Sequence, residues 1–262
     1  MRQVTEGIIA AVRKAGRTIL DKGYSDVLDK GSKDNHVTDM DVAVEAMLKK
    51  DLLELIPDSL FIGEEEDFSD DGSRICWIVD PIDGTTNFIR HIPVCAVSVA
   101  LMDGGIGQVG VVYDPFTDEL FYAENGEGAY LNRERLHVSD KDLAHSIFGT
   151  SWGAYDKSVS GPVFEIAREM YFQCEDIRRL GSAAYEICKM AQGAIDVYFE
   201  PILYPWDYAA ASIILREAGG FIGDEKGEPD YRSRTMVCAA NTEESLEHIR
   251  SLVGKAYGRA GQ

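Results

Sequence analysis

Basic residues are scarce in this sequence: 26 Lys and Arg stand against 45 Asp and Glu, a net charge of −19. Such a chain lacks the cationic stripes that hold a phosphodiester backbone, and an anionic bilayer would repel it. Neither a nucleic-acid partner nor a membrane surface is therefore expected. No CxxC pair occurs, and the five cysteines (Cys76, Cys95, Cys174, Cys188, Cys238) are scattered, mostly among apolar neighbours. That argues against a zinc cage and a disulfide framework, and predicts core thiols in a reducing cytoplasm. The five histidines show no HxxxH or HExxH spacing, and neither a Walker lysine nor a G-x-S-x-G elbow is present. No apolar run reaches transmembrane length. Internal repeats, low-complexity segments and Pro/Ser-rich linkers are missing too.

What is present suits a globular chain of 262 residues, 45% of them hydrophobic, long enough for one large domain or two intimate halves. The first twenty residues place Val4, Ile8, Ile9, Val12 and Ile19 at roughly helical spacing with charges between them, an amphipathic helix and not a signal peptide. A polar loop is expected around KGSKDNH, then a helix in VAVEAMLKKDLLELI, stopped by Pro57. SLFIG and ICWIV read as strands, the second apolar on both faces. VCAVSVALM, IGQVGVVY, ELFYAE and GAYL, separated by turns, predict an antiparallel meander. Beyond residue 140 strands alternate with helices: SIFGTS, GPVFEIAREMYF, IRRL, SAAYEICKMAQG, DVYFE, DYAAASIILREAGG, TMVCAA and EESLEHIRSLVG. The pattern predicts layered α/β halves, about 1–140 and 141–262, sharing a cleft within one domain.

The chemistry concentrates in ICWIVDPIDGTTNF, where Asp80 and Asp83 end an apolar strand and straddle what reads as a rigid Pro-Ile turn. Two carboxylates so close repel unless a cation or a proton lies between them. Carboxylate and carbonyl oxygens without Cys or His suit a hard cation, magnesium first, then manganese or calcium. Local capping by each Asp is the simpler alternative. Similar acids follow an apolar strand in GEEE, where Glu64 is the better ligand candidate and Glu65 to Asp67 read as a solvated run. Asp207 opens a long apolar helix, and Thr38, Asp39 and Asp41 precede another, positions where capping is the default. Two motifs mislead. Gly105, Gly107 and Gly110 satisfy G-x-G-x-x-G but lead into a strand instead of the helix a dinucleotide needs. DGT suggests an aspartyl phosphatase, yet Pro81 stands where its nucleophilic Asp belongs.

Taken together, VTDMDVAVEAML, FIGEE, WIVDPIDGTTNF, RRLGSAA and YFEPILYPWDYAAA through EAGG resemble the inositol monophosphatase family of magnesium-dependent, lithium-sensitive phosphatases. W-x-x-D-P-x-D-G-T-x-N-F with a distant W-D-x-A is a specific combination, and the resemblance spans most of the chain. It implies an α/β fold, an alternating αβαβα sandwich shared with fructose-1,6-bisphosphatase, and a homodimer. It also implies two magnesium ions: Glu64, Asp80 and the Ile82 carbonyl on the first, Asp80, Asp83 and Asp207 on the second. A third, weaker ion would lean on Glu64. Manganese would substitute, and lithium and calcium would inhibit. Asp41 and Thr85, with Glu64, would prepare the attacking water, while Gly84 and Thr85 offer amides to the phosphate. Asp83, Gly181, Ser182, Ala183, Glu200 and Asp207 would meet the substrate, and Lys30 matches a lysine on a mobile loop.

The implied substrate is a small phosphorylated polyol or sugar. Thr86-Asn87-Phe88 is the inositol-type continuation of the motif, and Glu200 favours a neutral polyol over a second phosphate, so inositol monophosphate leads. Fructose, histidinol and adenosine phosphates are alternatives within the superfamily. From a different class, a metal-binding regulatory protein without catalysis is the other candidate. Glu66 departs from the family pattern and is expected to point away from the metals.

Overall fold

The computed structural model describes residues 1–24, 26–32, 35–65, 74–225 and 227–260. The first half begins with helix α1 (Arg2–Lys22), strands β1 (Val27–Ser32) and β2 (Asn35–Thr38), helix α2 (Asp39–Leu55) and strands β3 (Leu60–Gly63) and β4 (Cys76–Asp83). A short helix α3 (Thr85–Ile89) precedes β5 (Ala96–Asp103), β6 (Ile106–Asp114), β7 (Glu119–Glu124), β8 (Gly128–Leu131) and β9 (Glu134–Arg135). The second half holds β10 (Ile147–Thr150), α4 (Ser160–Tyr171), β11 (Asp176–Arg178), α5 (Ala183–Ala191), β12 (Val197–Leu203) and α6 (Pro205–Glu217). It ends with β13 (Phe221–Gly223), β14 (Thr235–Ala240) and α7 (Glu243–Ala260).

Strands β3 to β9 form a seven-stranded sheet in sequence order, antiparallel except for the parallel β3–β4 pair. A five-stranded sheet runs β11-β10-β12-β14-β13, with β10 parallel to both neighbours. Three apolar clusters give the layers. Ile8, Val12 and Ile19 of α1 and Val44, Leu48 and Leu52 of α2 pack on Trp77, Val79 and Val99 of the larger sheet. That sheet's other face packs on α5 and α6, which also cover Tyr198 and Ala239 of the smaller sheet. Val163 and Met170 of α4 and Ile249 and Val253 of α7 close its outer face. The order is αβαβα.

Gly107 and Gly110 lie in β6, as a strand glycine reading requires. A Cβ at Gly110 would stand 2.3 Å from the Ala210 carbonyl, so the glycine lets α6 rest on the sheet. Four cysteines are buried, Cys174 is half-buried, and all five are free thiols. No helix among the described residues is long and apolar enough to cross a membrane.

Two local expectations need correction. The segment around KGSKDNH, expected as a loop, contributes to an antiparallel β1–β2 pair, with Val27 opposite Thr38. Polar strands carry no apolar alternation, so the periodic signal was missing. The Pro-Ile link between Asp80 and Asp83, expected as a turn, is part of strand β4. There Asp80 faces Ser98 and Asp83 faces Ala96, three steps on β4 against two on β5. Pro81 has no N–H to give the ladder, and the extra residue forms a bulge. In a regular strand residues three apart point to opposite faces; the bulge turns Asp80 and Asp83 to one side.

Candidate active site

The two carboxylates open into a cavity of about 490 Å³ lined by the end of β4, by β12 and by the starts of α5 and α6. Glu64, Asp80, Ile82, Asp83, Gly84, Thr85, Gly181, Ser182, Ala183, Glu200 and Asp207 all line it. Asp41 sits just behind, buried at the start of α2. Lys30 belongs to β1, and its side chain lies outside the described residues, as do Glu66 and Asp67.

Each acid is held by its local element. Asp80 Oδ1 accepts the Ile82 amide at 3.0 Å, a local bond that keeps the bulge in shape. Asp83 reaches across the cleft: Oδ2 accepts from Ser182 Oγ and the Ala184 amide, both at 2.7 Å, and Oδ1 from the Ala183 amide at 3.2 Å. It therefore caps α5, a helix a hundred residues away, and not α3 directly after it. Asp41 completes a capping box with Thr38, its Oδ2 taking the Thr38 amide at 2.8 Å. Its Oδ1 remains for the Thr85 hydroxyl at 3.2 Å. Asp207 does the same at α6, accepting the Tyr204 amide at 2.7 Å. Capping and a place at or beside the cavity coincide in these residues, because a capping side chain is a rigidly aimed one.

Gly84 precedes α3 with φ of 100°, a conformation open to glycine, and a Cβ there would crowd the Gly181 and Val94 carbonyls at 3.2 Å. Thr85 then opens α3, its hydroxyl also 3.1 Å from the Ile82 carbonyl. Glu45, buried in α2, accepts the Glu65 amide at 2.9 Å and so fixes the loop that presents Glu64. Gly63 makes room for it, since a Cβ there would lie 2.2 Å from Glu45 Oε2.

The electrostatics are those of crowded acids. Burial, then repulsion from Glu64, Asp83, Asp207 and Asp41, pushes the Asp80 carboxyl well above its ordinary range. Burial raises Asp83 to about 6 against the pull of Ser182 and the α5 amides. Asp207 rises through burial and through Asp83 and Glu64. At the far wall burial lifts Glu200 to about 7, although Tyr198 and Ser151 donate to it, and lifts Glu186 to about 8. Lys157 and Arg179 line the same cavity.

These residues fit a hard divalent cation: every donor is oxygen, and bound positive charge would offset the mutual repulsion around Asp80. Among the described residues no three acidic, His or Cys side chains close on one point as a finished cage. Asp83 is engaged by α5, and Asp207 by the Tyr155 hydroxyl. Tyr155, Asn87, Glu45, Arg179 and Glu186 are site residues that the sequence reading did not assign. Asn87 lies inside the quoted motif; the others carry no local signature.

Fold and site define a five-layered α/β protein with an acidic oxygen-donor centre at the cleft between its sheets. The inositol monophosphatase family model matches residues 1–256, and the chain belongs to that family, one of magnesium-dependent phosphatases acting on small phosphorylated substrates. It is 38% identical over 251 residues to Nus factor SuhB of Vibrio cholerae, covering 92% of this chain and 94% of the relative. The fold matches the extragenic suppressor protein suhB of Bartonella henselae with a TM-score of 0.88 at 33% identity, covering 97% and 99% of the two chains. Staphylococcus aureus inositol monophosphatase II, solved with inositol monophosphate, matches with a TM-score of 0.81 at 28% identity, covering 97% and 95%. The expectation of no nucleic-acid partner gains no support from a relative named as a Nus factor.

Proposed function

We propose that this protein hydrolyses a phosphate monoester of a polyol, inositol monophosphate first, by direct attack of water and without a covalent enzyme intermediate. The pairing of Thr85 with Asp41 at 3.2 Å beside three buried Asp carboxylates carries this reading. Glu64, Asp80, Asp83, Asp207 and the Ile82 carbonyl would hold two magnesium ions, with a third leaning on Glu64. Bound magnesium would supply charge to offset that of the phosphate and the leaving oxygen, and would lower the pKa of a bound water.

The chain's own part is positioning and proton handling. Asp41 takes the Thr85 hydroxyl proton as a hydrogen bond, which leaves the Thr85 oxygen to accept from the attacking water. The Gly84 and Thr85 amides, at the start of α3, would receive phosphate oxygens. Glu200, with Gly181, Ser182 and Ala183, would face the alcohol. In labelled water one solvent oxygen enters the released phosphate; a trapped phosphoenzyme would overturn the reading.

Glu200, which lines the cavity, favours a neutral polyol end over a second phosphate on the alcohol. The Staphylococcus aureus relative is also solved with 2′AMP, which supports some breadth in the alcohol accepted. Homodimer formation, a cytoplasmic location, substitution by manganese and inhibition by lithium and calcium belong to the same proposal. A second reading, a regulatory protein that keeps the metal site without turnover, is supported by the Nus factor name of the relatives. Magnesium-dependent phosphate release over inositol, fructose, histidinol and adenosine phosphates separates them. No turnover on any of these by the folded protein would favour the regulatory reading.

A further inference from the structure

The segment Leu180–Gly181 is held from both sides. Glu186, near the start of α5 and almost wholly buried, accepts the Leu180 amide at 2.7 Å and the Gly181 amide at 2.9 Å on a single oxygen, Oε1. From the opposite half of the molecule Asn87 Nδ2 donates to the Leu180 carbonyl at 2.8 Å and to the Val94 carbonyl at 2.9 Å. Gly181 adopts φ of +85°, and a Cβ there would crowd the Asn87 amide at 3.1 Å, so the strand of chain between the two clamps is fitted closely. Directly after it come Ser182, Ala183 and Ala184, whose hydroxyl and amides hold both oxygens of Asp83.

The other Glu186 oxygen, Oε2, is buried without a hydrogen-bond partner. An acid placed there only to cap α5 would be costly, since burying an unpaired oxygen is unfavourable. The cost makes sense if the two amides on Oε1 must be held in one geometry. Carboxylates that bind a cation depend on the groups that orient them, and loss of such a partner typically costs about 10–100-fold in metal affinity or activity.

We infer that Glu186 and Asn87 are the positioning pair of this centre, clamping Leu180–Gly181 so that Ser182, Ala183 and Ala184 aim Asp83 into the cavity. The inference rests on the proposed function only in assigning Asp83 to magnesium. Neither residue touches substrate in this scheme; both act through Asp83.

The test uses the full chain and two readouts, magnesium-induced thermal stabilisation and hydrolysis of inositol 1-phosphate. Glu186→Ala should raise the magnesium concentration for half-maximal stabilisation about tenfold, with a parallel rise in that needed for turnover. Glu186→Gln keeps an oxygen for the two amides and should restore the midpoint, short of the roughly tenfold loss expected when the partner is removed. Asn87→Ala attacks the clamp from the other half and should repeat the Glu186→Ala shift, so the inference stands on a second variant if the first fails to fold. Lower melting temperature with unmoved magnesium midpoints in Glu186→Ala and Asn87→Ala would make both residues merely structural and overturn the inference. Glu186→Gln as impaired as Glu186→Ala would overturn it as well, because charge and not the amide bonds would then matter. A parent protein with no magnesium response at all would instead overturn the assignment of Asp83 to the metal, and this inference with it.

Discussion

The Tyr155 hydroxyl lies 3.0 and 3.2 Å from the two oxygens of Asp207, so one phenol proton is shared across the whole carboxylate. Burial, then the charge of Asp207, pushes the phenol well above its ordinary pKa, and it stays a donor. Asp207 would have to turn an oxygen from this phenol toward a cation. Tyr155→Phe removes a hydrogen bond to a charged group, of a kind that contributes about 1.5–3 kcal/mol. The metal-free variant should melt several degrees lower, at about 2–4 °C per kcal/mol for a chain of this size. Magnesium should then stabilise it more than it stabilises the parent, because the competing donor is gone. Thermal melts with and without magnesium check both signs, and equal magnesium increments in the two proteins would refute the competition.

Buried Asp80 lies in the repulsive field of Glu64, Asp83, Asp207 and Asp41, and its bond from the Ile82 amide is one that an Asn side-chain oxygen would also accept. Asp80→Asn should therefore raise the melting temperature of the metal-free protein by a few degrees while removing magnesium stabilisation and at least a hundredfold of turnover. Functional sites commonly carry such a stability cost. A destabilised metal-free variant would show that repulsion at Asp80 is already relieved by other means.

Thr85 has one hydroxyl proton, with the Asp41 carboxylate at 3.2 Å and the Ile82 carbonyl at 3.1 Å as acceptors. Thr85→Val preserves shape and removes the hydroxyl. Loss of general acid–base assistance costs about 10²–10⁴-fold. The drop should fall on kcat with KM little changed, since the amides offered to phosphate come from the backbone. Steady-state kinetics on inositol 1-phosphate decide this; a change confined to KM would remove Thr85 from water activation.

Much of this site was legible because its signals are local. Asp80 and Asp83 stand three residues apart, Thr38 and Asp41 likewise, and Asp207 opens its own helix. The layers followed from apolar periodicity in α1, α2, β4 and α6. What escaped the sequence depends on distant partners. Tyr155 meets Asp207 across 52 residues, and Asn87 meets the Leu180 carbonyl across 93. Glu186 has no local signature within SAAYEICKMAQG, and only the packing of α5 between two sheets buries it. The bulge at Pro81 was hidden for another reason: a proline next to an acid reads as a turn, whereas the flanking β5 ladder keeps it within a strand.

The pH response of the metal-free protein tests the crowded acids as a group. Unfolded carboxyls titrate near pH 4. In the folded chain burial raises Asp83 to about 6, Glu200 to about 7 and Glu186 to about 8. Between these limits the folded state binds more protons than the unfolded one, so stability falls as pH rises. The contribution is complete below the unfolded values, and is lost progressively as each folded value is passed. Melting temperature without magnesium should therefore decline from about pH 4 to pH 8, with Glu200 and Glu186 carrying the part above pH 6. Magnesium bound there would take the place of the lost protons among the acids around Asp80, so its stabilising increment should grow over the same interval. Glu186→Gln, which has no proton to lose, should flatten the upper part of the metal-free decline. A metal-free melting temperature that stays level up to pH 8 would show that these acids ionise in the folded chain as readily as in water.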